Sequence, residues 1–540
     1  MSDSVSTSSK EARVVVQPTL GRDADEAELA RMGYKQELRR ELGLLQNFGV
    51  SFSIISVITG VSSLFAYGLT TGGPAVMVWG WIIVACFTIC VGLAMAEVCS
   101  AHPTSGGPYF WAAMVSPPER AAFASWVTGW FNLLGQVAVT TGISFACATF
   151  ISTVSTFNTD FVPNAHRTIG IYAAVLIAQG LINTFGVHLL KYLNNVSVWW
   201  HAVGTTALVI AILVKAPTHQ SGDFVFRTFI DGTGVDGGPG WSERASPAYV
   251  AVIGILIAQY TLTGFDASAH MTEETRNAAM SGPIGIVMAI SVSAVLGWFL
   301  LLGLLFSIQD LDNTIASPTG EPVAQIFLDT VGEKGAIVLM VIVIGSMFFC
   351  GTFSITSNSR MMYAFARDGG IPGHKFFHKV DPKRKSPIRT VWLACTLSFI
   401  LGLPSLGSSV AFSAATSIAT MGLYISYGIP IALRVIYRAQ FVRGPFHLGR
   451  FSYPIAIISV IWICFISIVF ILPELNPVNS QTLNYAIVAV GIVIAYSMGF
   501  WVISARKWFT GPIKQIAAEE MGIDVMNPEA VDSLGDERKQ

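Results

Sequence analysis

Twelve long apolar runs punctuate this sequence, and each is about the length that a helix needs to cross a lipid bilayer. A hydrocarbon core about 30 Å thick takes roughly 20 apolar residues per helix. The first six runs lie at 44–69, 75–99, 121–153, 167–188, 193–215 and 248–277. The next six lie at 284–308, 335–364, 390–405, 408–434, 451–474 and 483–509. Inside a bilayer every backbone N–H and C=O must be paired within the protein, which leaves helices as the spanning element for runs of this length. Composition agrees. Only 12% of the 540 residues are charged and 52% are hydrophobic, with a mean hydropathy of +0.59. A soluble domain carries about 25% charge. The expected class is therefore an all-α integral membrane protein with twelve transmembrane helices. A net charge of −1 gives no basic footprint, so nucleic acid is excluded as a partner and the lipid bilayer takes its place.

Loop charge predicts the orientation. Between runs eight and nine stand Arg367, Lys375, Lys379, Lys383, Arg384, Lys385 and Arg389, and after run ten stand Arg438, Arg443 and Arg450. After run seven the balance reverses, with Asp310, Asp312, Glu321, Asp329 and Glu333 against Lys334. The positive-inside rule puts the basic loops, and both termini with them, in the cytoplasm; the expected location is the plasma membrane. Residues 1–40 are polar and lack a secretory h-region, so they read as a disordered cytoplasmic tail. Residues 510–540 form the second tail. Residues 41–215 and 248–434 make two five-helix units, 216–247 is an extracytoplasmic loop, and 435–509 adds two helices.

The seven cysteines fall in or at the ends of apolar runs without zinc spacing, so neither a metal nor a cofactor is expected. The stretch GTGVDGGPG (232–240) has no Lys-Ser/Thr and reads as a flexible outer loop. Asn195-Val-Ser197 fits a glycosylation pattern but falls on the cytoplasmic side.

Runs one and six share an interruption. FSIISVITGVSSLF (52–65) and IAQYTLTGFDASAH (257–270) each reach a Thr-Gly pair in mid-run and continue with small or polar residues. Gly60 and Gly264 are the expected points of opening. Glycine-interrupted segments in matching positions of two halves point to a transporter binding site, and an odd number of helices per unit makes the repeat inverted. Freed N–H groups at such breaks suit an anionic group and freed carbonyls suit a cation, so one site fits a zwitterion. Asp266 could hold a substrate ammonium, carry a coupling proton or cap the second half-helix. His201 in run five is a further coupling candidate, with His188 and His270 weighted less. Glu273, Glu274 and Arg276 read as a solvated ion-pair cluster. Thr352, Ser354, Thr356, Ser357 and Ser359 of run eight could coordinate sodium, or bond back to helix carbonyls.

Three motifs carry a family resemblance: AEVCSAHPTSGGPYFW (96–111), TSNSRMMYAFARDGGIP (356–372) and YTLTGFDASAHMTEET (260–275). Over about 40–510 the chain resembles the amino acid–polyamine–organocation superfamily, and within it the amino acid/choline group that includes GABA permeases and plant-type bidirectional amino acid transporters. The resemblance implies a leucine-transporter-type five-plus-five inverted repeat with discontinuous helices one and six. It places substrate against Thr59, Gly60, Val61, Ser62 and Ser63 and against Tyr260, Thr263, Gly264, Phe265 and Asp266. Some relatives carry a Lys in mid-run five where this chain reads WWHAVGTT. The expected activity is secondary transport of amino acids, GABA or a related zwitterion, coupled to an ion gradient, protons before sodium. A choline or polyamine permease and a non-transporting amino-acid sensor are the alternatives. No Walker A motif points to ATP-driven pumping or to an enzyme.

Overall fold

In a computed structural model of the chain, the described residues are 22–157, 159–406 and 411–512. Among them the regular structure is helical, with three isolated bridges and no strand. Eleven helices have the length and composition to cross a membrane. They are Leu44–Ser63, Gly73–Ala101, Pro118–Val154, Ala165–Phe185, His188–Lys215, Ala278–Phe306, Pro322–Arg367, Ile388–Leu406, Ala411–Ile436, Gly449–Val469 and Ala486–Ile503. They follow the apolar runs of the sequence, with one exception. Run six is divided into the short helices Pro247–Gly254, Leu256–Thr261 and Ala267–His270, so no single helix spans it. Outward-facing Val203, Ile210 and Val214 of run five, and Ile492, Val502 and Ile503 of run twelve, present the apolar exterior that lipid requires.

Glycines set how closely the central helices approach. A Cβ on Gly422 of run ten would lie 2.8 Å from the Gly135 nitrogen of run three, so these backbones touch. The 46-residue helix Pro322–Arg367 bends at Gly332, whose φ of 70° ends one helical piece and starts the next.

Two expectations about the periphery are corrected. The N-terminal tail is not disordered through residue 40. Residues Arg22–Arg31 form a helix, and Leu29, Tyr34, Leu38 and Arg40 are buried. The Asp25 carboxylate accepts the N–H groups of Asn277 and Ala278, and the Arg40 guanidinium donates to the Thr272 carbonyl at 3.0 Å. A parallel bridge joins Leu42 to Thr275. Charges that looked solvating instead satisfy the turn that closes run six and the start of the run-seven helix, more than 230 residues away. Residues 1–21 and 513–540, the rest of the two tails, lie outside the described residues.

The 216–247 loop is also built rather than slack. Asp231 accepts from the Thr233 and Ser242 N–H groups at 3.0 and 2.8 Å and from both hydroxyls. Burial alone would raise its carboxyl, but these hydrogen bonds outweigh it and hold Asp231 below the usual range. Bridges tie Thr71 to Asp231 and Gly234 to Asn476.

Candidate functional site

Run one breaks at Ser56, not at Gly60. The helix Leu44–Ile55 ends there and Val57–Ser63 begins, with Ser56 at φ 29°, ψ 80°. The Ser56 hydroxyl caps the second piece by accepting from the Thr59 N–H at 3.4 Å, and it lies 2.6 Å from the Thr59 hydroxyl. His201 completes the junction. Its Nδ1 donates to the Ser197 carbonyl at 2.7 Å, which leaves Nε2 to accept from the Ser56 hydroxyl at 2.9 Å. With both nitrogens engaged and 1% exposure, His201 holds the break in place. Local sequence gives little sign of it, because the residue three after Ser56 is Thr59 and not the Glu or Gln of a capping box. Gly60 remains helical, donating its N–H to the Ser56 carbonyl. Its hydrogen side chain is needed for another reason, because a Cβ there would collide with the Thr261 side chain.

Run six opens at Gly264. With φ at +98°, this residue holds a backbone that L side chains rarely adopt, and its Cβ would meet Ile54 Cγ2 at 2.6 Å. The chain between Thr261 and Ala267 is therefore non-helical and buried against the end of the first piece of run one. Among the described residues the N–H groups of Gly264, Phe265 and Asp266 have no hydrogen-bond partner. Free buried donors persist inside a membrane protein where the backbone serves a cavity.

Such a cavity lies between the breaks. A narrow cavity of about 10 Å³ is lined by Ile54, Ile55, Thr59 and Gly60 of run one, Val139 and Ile143 of run three, and Tyr260, Thr261 and Thr263 of run six. The Tyr260 hydroxyl is buried without a hydrogen-bond partner and lies 2.6 Å from where a Cβ of Gly142 would be. Of the ten residues singled out in the sequence, Thr59, Gly60, Tyr260 and Thr263 line this space. Gly264 shapes it from behind. Val61 and Ser62 are buried away from it, and the Ser63 hydroxyl bonds the Gly60 carbonyl at 3.3 Å. Phe265 packs on Tyr427 and Tyr424 with centroids 5.2 and 6.2 Å away.

Asp266 does not line the cavity. It is fully buried, and its Oδ2 accepts from Gln136 Nε2 at 2.8 Å and Asn132 Nδ2 at 3.4 Å and lies 3.2 Å from His270 Nε2. The sequence reading missed Asn132 and Gln136, although two amides four residues apart in an apolar run place both on one helix face. His270, which the sequence placed near the cytoplasmic boundary, is fully buried beside Asp266.

The end of the bundle that carries the basic loops is locked. Arg367 pairs with Glu273 at 3.1 Å, with the two side chains 2% and 0% exposed, and lies over the Tyr34 ring at 3.9 Å. Arg360 pairs with Glu274 at 2.8 Å, and Asp368 accepts from Tyr34 and Tyr109. Of the expected solvated cluster, Glu273 is instead buried and Glu274 partly so, covered by the N-terminal segment and run eight, while Arg276 is exposed. In run eight, Thr352 and Ser359 donate to the carbonyls of Phe348 and Thr356, and Thr356 also donates to Asn183. Ser354 pairs with Thr140, and the Ser357 hydroxyl is buried without a hydrogen-bond partner.

Comparison with known proteins decides the family. A family model described as amino acid permease matches residues 42–494. The chain belongs to the amino acid permease family. Its sequence is 43% identical to the amino-acid permease BAT1 of Arabidopsis thaliana over 514 residues, covering 92% of this chain and 97% of that one. A rice homologue of BAT1, from Oryza sativa subsp. japonica, is 43% identical at the same coverage. Amino-acid permease 2 of Neurospora crassa is 30% identical, covering 94% of this chain and 92% of its own length. This permease is thus an integral multi-pass membrane transporter rather than an enzyme, and amino acid transport is the activity its relatives support. Its cavity and broken helices lie within the matched residues.

Proposed function

We propose that this permease is a secondary active transporter of GABA or a related zwitterion, working by alternating access and coupled to a proton gradient. The observation that carries the reading is the cavity between the two breaks, closed down to about 10 Å³ in this conformation. It combines hydroxyls (Thr59, Tyr260, Thr261, Thr263), a glycine-lined approach and apolar walls from Ile54, Val139 and Ile143. No carboxylate lines it, which suits a substrate that brings both of its own charges better than choline or a polyamine. The substrate carboxylate would take the free N–H groups of the run-six break, and its ammonium the carbonyl end of the first piece of run one. The Glu273–Arg367 and Glu274–Arg360 pairs would form the inner gate, closed in this conformation.

The test is counterflow in proteoliposomes with a panel of labelled amino acids, GABA, choline and putrescine. GABA or a neutral amino acid should exchange, and choline and putrescine should not. Exchange of only the organic cations would replace this reading. The proposed plasma-membrane orientation puts Gly237 outside and Arg384 in the cytosol. Cysteines at these two positions should label from opposite sides.

A further inference from the structure

We propose that Asp266 and His270 together form the proton-carrying site of this transporter, a buried dyad positioned by Asn132 and Gln136. The proposal rests on the transport reading above and adds to it the residues that couple.

Hydrogen-bond chemistry fixes the number of protons the pair holds. His270 Nδ1 lies 2.8 Å from the Ser105 carbonyl oxygen. A carbonyl only accepts, so Nδ1 carries a hydrogen. The other ring nitrogen faces Asp266 Oδ2 at 3.2 Å. That contact needs one proton, on Nε2 as an imidazolium against a carboxylate, or on the carboxyl against a neutral ring. Without it, two lone pairs face each other beside an unneutralised charge, with both side chains 0% exposed. The arrangement is that of a site loaded with one proton. Loading forms one N–H or O–H bond and takes the dyad from −1 to neutral; release reverses it.

The surroundings equip the site for both states. Gln136 and Asn132 donate to Oδ2, and Asn132 also donates to the Ser426 hydroxyl at 3.1 Å. These amides stabilise the carboxylate when the proton leaves. Asp266 Oδ1 is buried without a well-formed hydrogen bond, and the Tyr427 hydroxyl faces the same carboxyl group. The titratable groups facing the pair are the Tyr424 and Tyr427 phenols of run ten. Beyond Ser105, whose N–H donates to Glu273 at 3.1 Å, stands the Glu273–Arg367 pair.

Position supplies the coupling. Thr263 of the cavity lies three residues before Asp266, and Glu273 of the inner lock lies three residues after His270. The contact between Asp266 and His270 spans the short helix that joins them. Gaining or losing its proton therefore acts on the segment connecting substrate site and gate. His201 shares no proton with a carboxylate: its Nδ1 donates to the Ser197 carbonyl and its Nε2 accepts from the Ser56 hydroxyl.

The experiment compares counterflow with accumulation driven by a pH gradient in proteoliposomes, with an interior pH dye reporting proton movement. Wild type should show both activities and carry protons with substrate. Asp266→Asn and His270→Gln should keep counterflow, accumulate substrate no further than equilibrium and move no protons. Should neither variant fold, Gln136→Leu decides. Removing a donor to the carboxylate should shift the pH midpoint of transport upward with counterflow retained, which a merely structural role would not do. Gradient-driven accumulation by both dyad variants, loss of counterflow in the correctly inserted variants, or an unmoved midpoint in Gln136→Leu would overturn the proposal. Wild type that exchanges amino acids but moves no protons would overturn the dyad alone. Wild type without any counterflow would remove the transport reading itself.

Discussion

The Nε2 atom of His201 accepts a hydrogen bond from the Ser56 hydroxyl at 2.9 Å, joining run five to the point where run one breaks. Ser56 in turn receives the Thr59 N–H, so one imidazole supports a cap, a break and a cavity residue in sequence. Ser56→Ala removes the cap acceptor and should cost about 0.5–2 kcal/mol, the ordinary value of a helix cap. Weakened substrate affinity in counterflow should accompany it. His201→Gln should lower stability in thermal melts yet keep accumulation driven by a pH gradient, because this histidine holds the break and carries no proton. Loss of gradient drive with intact counterflow would transfer the coupling role to His201.

The glycines of the two breaks act for different reasons. Gly60→Ala would put a methyl into Thr261, and Gly264→Ala would force an alanine into φ +98° against Ile54. Backbone strain at Gly264 costs roughly 1–3 kcal/mol, and overpacking at Gly60 typically about the same. Both variants should reach the membrane and lose counterflow. Gly499→Ala in run twelve, where a Cβ meets nothing within 4 Å, should transport normally. Normal counterflow by Gly60→Ala and Gly264→Ala would show that neither close approach matters.

The buried pair Glu273–Arg367 gives a stability prediction. Removing one partner leaves an uncompensated buried charge, typically at a cost of about 3–5 kcal/mol, whereas removing both is often nearly neutral. Glu273→Gln should therefore melt well below wild type in detergent, and the double variant Glu273→Gln/Arg367→Met should recover most of the loss. Equal melting of single variant and wild type would mean the pair contributes nothing to this conformation.

Much of this was legible in the sequence, and the failures have physical causes. The apolar runs are set by bilayer thickness, a constraint so strong that eleven of them reappear as long helices. Gly264 was readable because only glycine takes φ +98° readily. Ser56 was overlooked in favour of Gly60 because a serine supported by a histidine 145 residues away gives no local sign of breaking a helix. The N-terminal segment read as disordered because its Asp and Arg residues resemble solvating charge. Their partners, the turn and helix start at 272–278, are distant in sequence. The Asp266 network escaped for the same reason, since it draws on runs three, six and ten and on Ser105.

Outside the membrane helices, Glu474 supplies a pH prediction. Burial pushes its carboxyl up to about 7 from the model-peptide 4.5, against the lowering effect of the Ser413 and Ser417 hydroxyls. A carboxyl raised on folding is neutral and unpenalised below the unfolded value, and stability falls as pH rises through the folded value. The loss should be complete above about pH 7 and reach at most about 3 kcal/mol, at 1.36 kcal/mol per unit. Glu474→Gln should match wild type in thermal melts near pH 4.5 and exceed it at pH 8. A difference between the two proteins that stays constant over this range would contradict the assignment.

The central claim is that substrate sits in the cavity between the two breaks. Alkylation of a cysteine at Ile143, on the cavity wall contributed by run three, tests it directly. In an Ile143→Cys variant that still exchanges substrate, the amino acid that supports counterflow should slow modification of Cys by a small maleimide, with half-maximal protection at its half-maximal transport concentration. A non-transported amino acid should give no protection. Modification at the same rate with and without the transported substrate would place the binding site elsewhere.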